Sequence, residues 1–123
     1  QLAGHVHVGD HAILGGFTGV HQFARVGAHS MTAVGTVLLQ DLPPYVIAAG
    51  NTAKPFGINS EGLRRRGFSS DAISAVKRAY KLIYRSGMAL EGARLNSSGG
   101  AESQPALSRL AEFLSGPGSG IIR

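Results

Sequence analysis

Five histidines fall within the first 29 residues of the chain: His5, His7, His11, His21 and His29. An imidazole titrates near neutrality, so each is a candidate general base, hydrogen-bond donor or metal ligand. A metal centre needs three ligands to converge, and their phases disagree. On a six-residue cycle His5, His11 and His29 share the fourth place, His7 takes the sixth and His21 the second. His11 and His29 are eighteen positions apart and should stack as a solvated or interfacial ladder, with His7 solvated at a corner. A second group is Arg64-Arg65-Arg66. Planar guanidinium groups bind phosphate oxygens bidentately, but three in a row cannot all point one way on a helix. By itself such a run also fits a solvated surface or a nucleic-acid patch. Against nucleic acid, the chain has no recognised binding motif and few aromatics beside these basic residues.

What must position these groups is a strict period of six. Leu2, Val8, Leu14, Val20, Val26, Thr32 and Leu38 follow one another at that interval, and four places after each come Val6, Ala12, Thr18, Ala24, Ser30, Thr36 and Leu42. A helix needs apolar spacing near 3.6 and a flat strand near two. Six is the hexapeptide repeat of a parallel β-helix, in which each hexad gives one short strand and one corner. Three hexads close a triangular coil of eighteen residues, and coils stack at about 4.8 Å. The anchors should point inward, and the small residue after each anchor should sit where a sharp corner favours glycine at positive φ. A helix through Gly9, Gly15, Gly16, Gly19 and Gly27 would lose roughly 1 kcal/mol per glycine.

Length and charge narrow the partners. The 123 residues can bury one modest core or two small ones sharing an interface. Lys plus Arg number 12 against 7 acidic residues, a balance of +5 that favours an anionic partner. There is no cysteine, hence no disulfide or thiolate chemistry. No apolar run is long enough to span a bilayer, and no signal peptide stands at the start, so no membrane insertion and a cytoplasmic location are expected. The chain opens at Gln1 with the repeat already in phase. It therefore reads as the C-terminal part of a longer protein whose earlier coils are missing.

Three stretches are more specific than the repeat: GGFTGVHQFARVGAHS, QDLPPYVIAAGNTAKPFGINSEGLRRRGF and AYKLIYRSG. They closely resemble the UDP-N-acetylglucosamine O-acyltransferase family of lipid A biosynthesis, in register from Leu2 through about Gly87. The resemblance implies an all-β left-handed parallel β-helix followed by a small α-helical C-terminal domain, assembled as a homotrimer with its site between subunits. It implies transfer of a 3-hydroxyacyl chain from acyl carrier protein to the 3-hydroxyl of UDP-N-acetylglucosamine, with no cofactor. A sugar hydroxyl needs a general base. The family's base is a histidine that aligns with no residue here, so this chain is expected to be inactive alone. By that resemblance Gly4 supplies a backbone N–H to the oxyanion, though as a residue it reads as a plain corner glycine. His5, His21 and Gln22 line the substrate cleft. Gly16 lies by the carrier's pantetheine arm, and Val34 limits acyl length. Asn59 and Glu61 recognise the nucleotide, and Arg65 and Arg66 lie near the diphosphate and the carrier. Helix capping ahead of Gly62-Leu63 is the weaker alternative for Asn59 and Glu61. Two further readings stay open: a non-catalytic trimerising β-helix module that binds a nucleotide-sugar or acidic protein, and another hexapeptide-repeat transferase or zinc hydratase.

After the repeat, Pro43-Pro44 block a further strand pattern. Tyr45 to Ala49 predicts a last strand, and Lys54 to Asn59 an extended crossing. The chain divides as 1–50 (coils), 51–62 (linker) and 63–123 (helices). Ser69-Ser70 and Asp71 start a helix ending at Gly87, with Ala72, Ile73, Val76, Ala79, Tyr80, Leu82 and Ile83 on its apolar face. Its basic face suits an acidic carrier protein or plain solvent. Met88 to about Leu95 predicts a short helix, Asn96 to Gly100 a break, Ala106 to about Leu114 a third helix, and Gly116 to Gly120 a loose tail.

Overall fold

A computed structural model describes residues 1–84, 104–116 and 120–123. Six two-residue strands recur along the repeat: β1 (His7–Val8), β2 (Ile13–Leu14), β3 (Gly19–Val20), β4 (Arg25–Val26), β5 (Met31–Thr32) and β6 (Val37–Leu38). The first three pair in parallel with the strands three hexads on, as His7 with Arg25, Ile13 with Met31 and Gly19 with Val37. Three faces result, and the coil is triangular. The last turn is shorter: β7 (Val46–Ala49) lies beside β5 with Met31 opposite Ile47, and Val26 meets Leu42. Pro43-Pro44 thus tighten the final coil rather than end it. Tyr45 makes a corner instead of opening the strand.

Val20, Val26, Leu38, Leu42, Val46 and Ala48 fill the prism. The hydroxyls at the inner places explain their residue types. Thr18, Ser30 and Thr36 each donate to the carbonyl three residues back, at 2.6, 2.7 and 2.7 Å. Thr18 and Thr32 also meet at 2.9 Å. The same carbonyls also accept the backbone N–H of Thr18, Ser30 and Thr36 at 3.2, 3.3 and 3.3 Å, so the hydroxyl bonds close each corner and leave none of these three hydroxyls without a partner.

The corners correct one expectation. Positive φ falls not on the small residue after each anchor but two places later, at His5, His11, Phe17, Phe23, His29 and Gly35, then Tyr45. All but Gly35 carry bulky side chains in a backbone region that disfavours them. The small residues answer a different demand, the close approach of stacked coils. A Cβ on Gly9 would stand 2.5 Å from the Ala28 nitrogen, one on Gly15 2.6 Å from the Thr32 oxygen, and one on Gly27 would run into Pro44.

β8 (Lys54–Ile58) turns back antiparallel on β7. Then come α1 (Ser60–Arg65), α2 (Ser70–Tyr84) and α3 (Gln104–Ser115). The Ser69 hydroxyl accepts from the Ala72 N–H at 3.1 Å and caps α2. Ala72, Ala75, Val76, Ala79 and Ile83 are buried on α2, and Ala106, Leu107, Leu110 and Ala111 on α3. Tyr45 packs among these helices, and its hydroxyl donates to the Ala106 carbonyl at 2.9 Å. The short helix and break expected over 88–100 lie outside the described residues.

The expected loose tail is tied down at its far end. Asp41 N–H donates to the Gly120 carbonyl at 3.0 Å, the Ile122 N–H returns to Asp41 at 2.9 Å, and Ile122 is buried with the coil residues. Asp41 is only 1% exposed and takes two guanidinium bonds from Arg25 at 3.0 and 2.8 Å. Arg25 in turn lies 4.1 Å over the Phe113 ring of α3. Asp41 thereby joins the coil to α3 through its carboxylate and Arg25, and to residues 120–122 through its backbone.

Candidate functional site

Hexad spacing decides where each candidate residue of the coil goes, because six residues advance one corner and eighteen return to the same one. Gly4, His5, His21 and Gln22 share the first corner. The His5 ring lies parallel to Phe23 at 4.9 Å, and the Phe23 N–H donates to the Gly4 carbonyl at 3.2 Å. His21 borders a shallow cavity of about 280 Å³ with Ala3, Val20 and Leu39. Gly4 stands open, with nothing within 4 Å of where a Cβ would project. Its backbone can therefore be approached closely by a ligand.

Gly16 and Val34 share another corner. The Gly16 carbonyl accepts from the Gly35 N–H at 2.8 Å, and a Cβ on Gly16 would also meet nothing within 4 Å. Val34 is 73% exposed, so its side chain projects from the prism and does not fill it.

The remaining corner carries His11, His29 and Tyr45, with α1 laid against it. His11 and His29 stack with ring centroids 5.0 Å apart, as their spacing predicts. Asn59, Glu61, Arg65 and Arg66 surround a cavity of about 450 Å³, together with Ile13 and Met31. Asn59 is itself buried and structurally engaged. Its Oδ1 accepts from the Gly62 N–H at 3.2 Å, and its Nδ2 donates to the His29 carbonyl at 3.1 Å. Helix capping is therefore what Asn59 does here, which leaves one amide hydrogen for anything else. Glu61 is exposed and pairs with Arg64 at 2.7 Å and Arg65 at 3.4 Å, contacts worth about 0–1 kcal/mol in solvent. Arg66 is left outside that pairing and faces the cavity.

Burial holds the His29 imidazole below its ordinary range, and Arg109, His11 and Arg66 push the same way against a weaker pull from Asp10. Desolvation likewise pushes the Tyr45 phenol up to about 12. Neither ring carries charge at neutral pH.

The ten candidate residues thus occupy three corners of one prism and do not meet within a single chain. Reasoning from the sequence missed Arg25, Asp41 and Arg109. Arg25 and Asp41 would face each other only if the last coil were known to be two residues short, and the double proline is the single sign of that. Arg109 reads as an ordinary polar residue of α3, and only the fold brings it to His29.

Parallel hexapeptide coils carrying a helical layer on one corner define a hexapeptide-repeat β-helix protein. Residues 41–122 match the family described as Udp N-acetylglucosamine O-acyltransferase, Domain 2. The chain belongs to that family. An acyl-[acyl-carrier-protein]–UDP-N-acetylglucosamine O-acyltransferase from Burkholderia lata is 54% identical over 127 residues, covering 100% of this chain and 48% of that protein. LpxA from Acinetobacter baumannii superposes with a TM-score of 0.88 at 41% identity, over 99% of this chain and 48% of that one. The UDP-N-acetylglucosamine acyltransferase of Arabidopsis gives 0.81 at 32% identity, over 98% and 45%. The chain spans about half the length of the curated relatives it matches.

Proposed function

We propose that this chain is part of a cytoplasmic enzyme that moves a 3-hydroxyacyl group from acyl carrier protein to the 3-hydroxyl of UDP-N-acetylglucosamine, the first step of lipid A biosynthesis. The observation that carries the reading is the 54% identity, over the whole chain, to a relative named as an acyl-[acyl-carrier-protein]–UDP-N-acetylglucosamine O-acyltransferase. Under it, the coil is left-handed, residues 63–123 are a helical C-terminal domain, and the protein is a homotrimer. The corner arrangement supports a shared site, since residues on separate corners of one prism can converge only when a neighbouring prism supplies the missing side.

In the reaction the sugar oxygen attacks the thioester carbonyl, a C–O bond forms, the C–S bond breaks, and the thiol of the carrier arm leaves. The hydroxyl proton goes first to a general base that lies outside this chain, which returns it to the departing sulfur as the C–S bond breaks. Charge grows on the carbonyl oxygen, where the open Gly4 N–H can donate. His5, His21 and Gln22 donate to sugar and diphosphate oxygens. Gly16 leaves room for the carrier's arm, and Val34 narrows the acyl slot, favouring a shorter chain than a glycine there would take. Glu61 accepts from ribose or uracil groups, held in place by the Asn59 cap, and Arg65 and Arg66 meet the phosphates.

The test measures acyl transfer by this chain alone and by a protein completed to the length of its relatives. The completed protein should be active and the chain alone inert. A completed protein inert with both substrates would replace this reading with a non-catalytic module that binds a nucleotide-sugar. Activity in the chain alone would place the base within it.

A further inference from the structure

A second cavity lies on the other side of Arg66, between the coil and the two long helices. It measures about 610 Å³, and its wall includes His11, His29, Arg66, Ser69 and Arg109. Its composition is one-sided. Two guanidinium groups and two imidazoles face it, and no carboxylate is among its described lining residues. Among the described residues neither Arg66 nor Arg109 has an ion-pair partner. The start of α2 opens on the same space through Phe68, Ser69 and Ala72. A helix leaves its first N–H groups without intrahelical partners and carries partial positive charge there. The Ser69 hydroxyl takes only the Ala72 N–H.

We propose that this cavity binds a phosphate-type oxyanion, held between Arg109 of α3, Arg66 and the N-terminus of α2, with the His29 edge at its floor. The proposal goes beyond acyl transfer and does not rest on it. The two cavities share Arg66, but Arg109 borders this one and not the one lined by Glu61. The arginines give the fork geometry that tetrahedral oxyanions select. The groups that act on His29 are Arg109 from α3, Arg66 after α1, and His11 and Asp10 from the preceding coil. An anion seated among them would offset the two arginines, and the His29 imidazole would then take up a proton more readily. Asp71, in the first turn of α2, is exposed and is not part of the wall.

The experiment is a titration of the 123-residue chain with inorganic phosphate and, separately, with glycerol 3-phosphate, at constant ionic strength set by chloride. Histidine ring resonances are followed by NMR. The expected result is a saturable shift at His29 and His11, none at the solvated His7, and an upward move of the His29 titration midpoint at saturation. Arg109→Gln should weaken binding roughly tenfold or more, the size of one lost charge-assisted bond. Arg109→Lys should keep part of the affinity, since it retains the charge without the fork. Arg109 is exposed, so both variants should fold, and unchanged amide spectra elsewhere would show it. Saturation by phosphate alone would make this a free-ion site; saturation by both probes would make it a phosphomonoester site, and either supports the proposal. Shifts that do not saturate, that persist undiminished in Arg109→Gln, or that include His7 to the same extent would overturn it.

Discussion

Asn59 and Glu61 sit two residues apart yet answer to different forces, and substitution should separate them. Asn59 ties the corner to α1 through the His29 carbonyl and the Gly62 N–H. Alanine at that position removes a cap and strands a buried carbonyl, a loss of about 1–3 kcal/mol. Asn59→Asp keeps the capping oxygen but loses the donor and should fall between. Urea unfolding of the chain would show the order; an Asn59→Ala midpoint equal to the parent's would refute the structural role. Glu61→Gln should leave that midpoint within about 0.5 kcal/mol, because solvent already screens its arginine pairs, and its effect should appear in nucleotide-sugar affinity instead. The sequence places both residues ahead of a helix and, with the family resemblance, favours ligand over cap for both. What separates them is burial, and burial comes from the stack behind them.

At the scale of the coil, two adjacent glycines make the same distinction. Gly15 and Gly16 look alike in the sequence, but a Cβ on Gly15 would press on the Thr32 oxygen at 2.6 Å and one on Gly16 would meet nothing. Gly15→Ala should therefore destabilise the chain by about 1–3 kcal/mol, the range for overpacking. Gly16→Ala should stay within about 0.5 kcal/mol, as surface changes do. Thermal or urea unfolding checks both, and equal losses would refute the account. The period of six was legible in the anchors because each face of the prism needs one inward aliphatic side chain per six residues, stacked on the one eighteen positions on. The corners were not. Bulky residues such as Phe17 and Phe23 hold left-handed φ values of 59° and 65°, and nothing in their type announces it. The return of Ile121 to Asp41 was equally hidden, since a pairing across eighty positions leaves no local pattern.

At the scale of the molecule, the prism exposes what a monomer ordinarily hides. Phe17 is 93% exposed and Phe23 64%, on two different corners, and Val34 stands out beside Phe17's corner. Scattered apolar residues on a surface need no explanation, but large aromatics on the corners of a repeat point to contact with another copy. Burying one phenylalanine side chain is worth about 1.5–3 kcal/mol. In a closed trimer each substitution is felt three times. Under the proposed homotrimer, sedimentation of the chain at tens of micromolar should give three times the monomer mass. Phe17→Ser combined with Phe23→Ser should move it to monomer with the far-ultraviolet spectrum kept, because neither ring supports the core of its own chain. A parent chain that sediments as a monomer, or a double variant that remains trimeric, would remove the neighbouring prism from the argument. The candidate residues would then stay on their separate corners, with no surface on which a nucleotide-sugar and an acyl chain could meet.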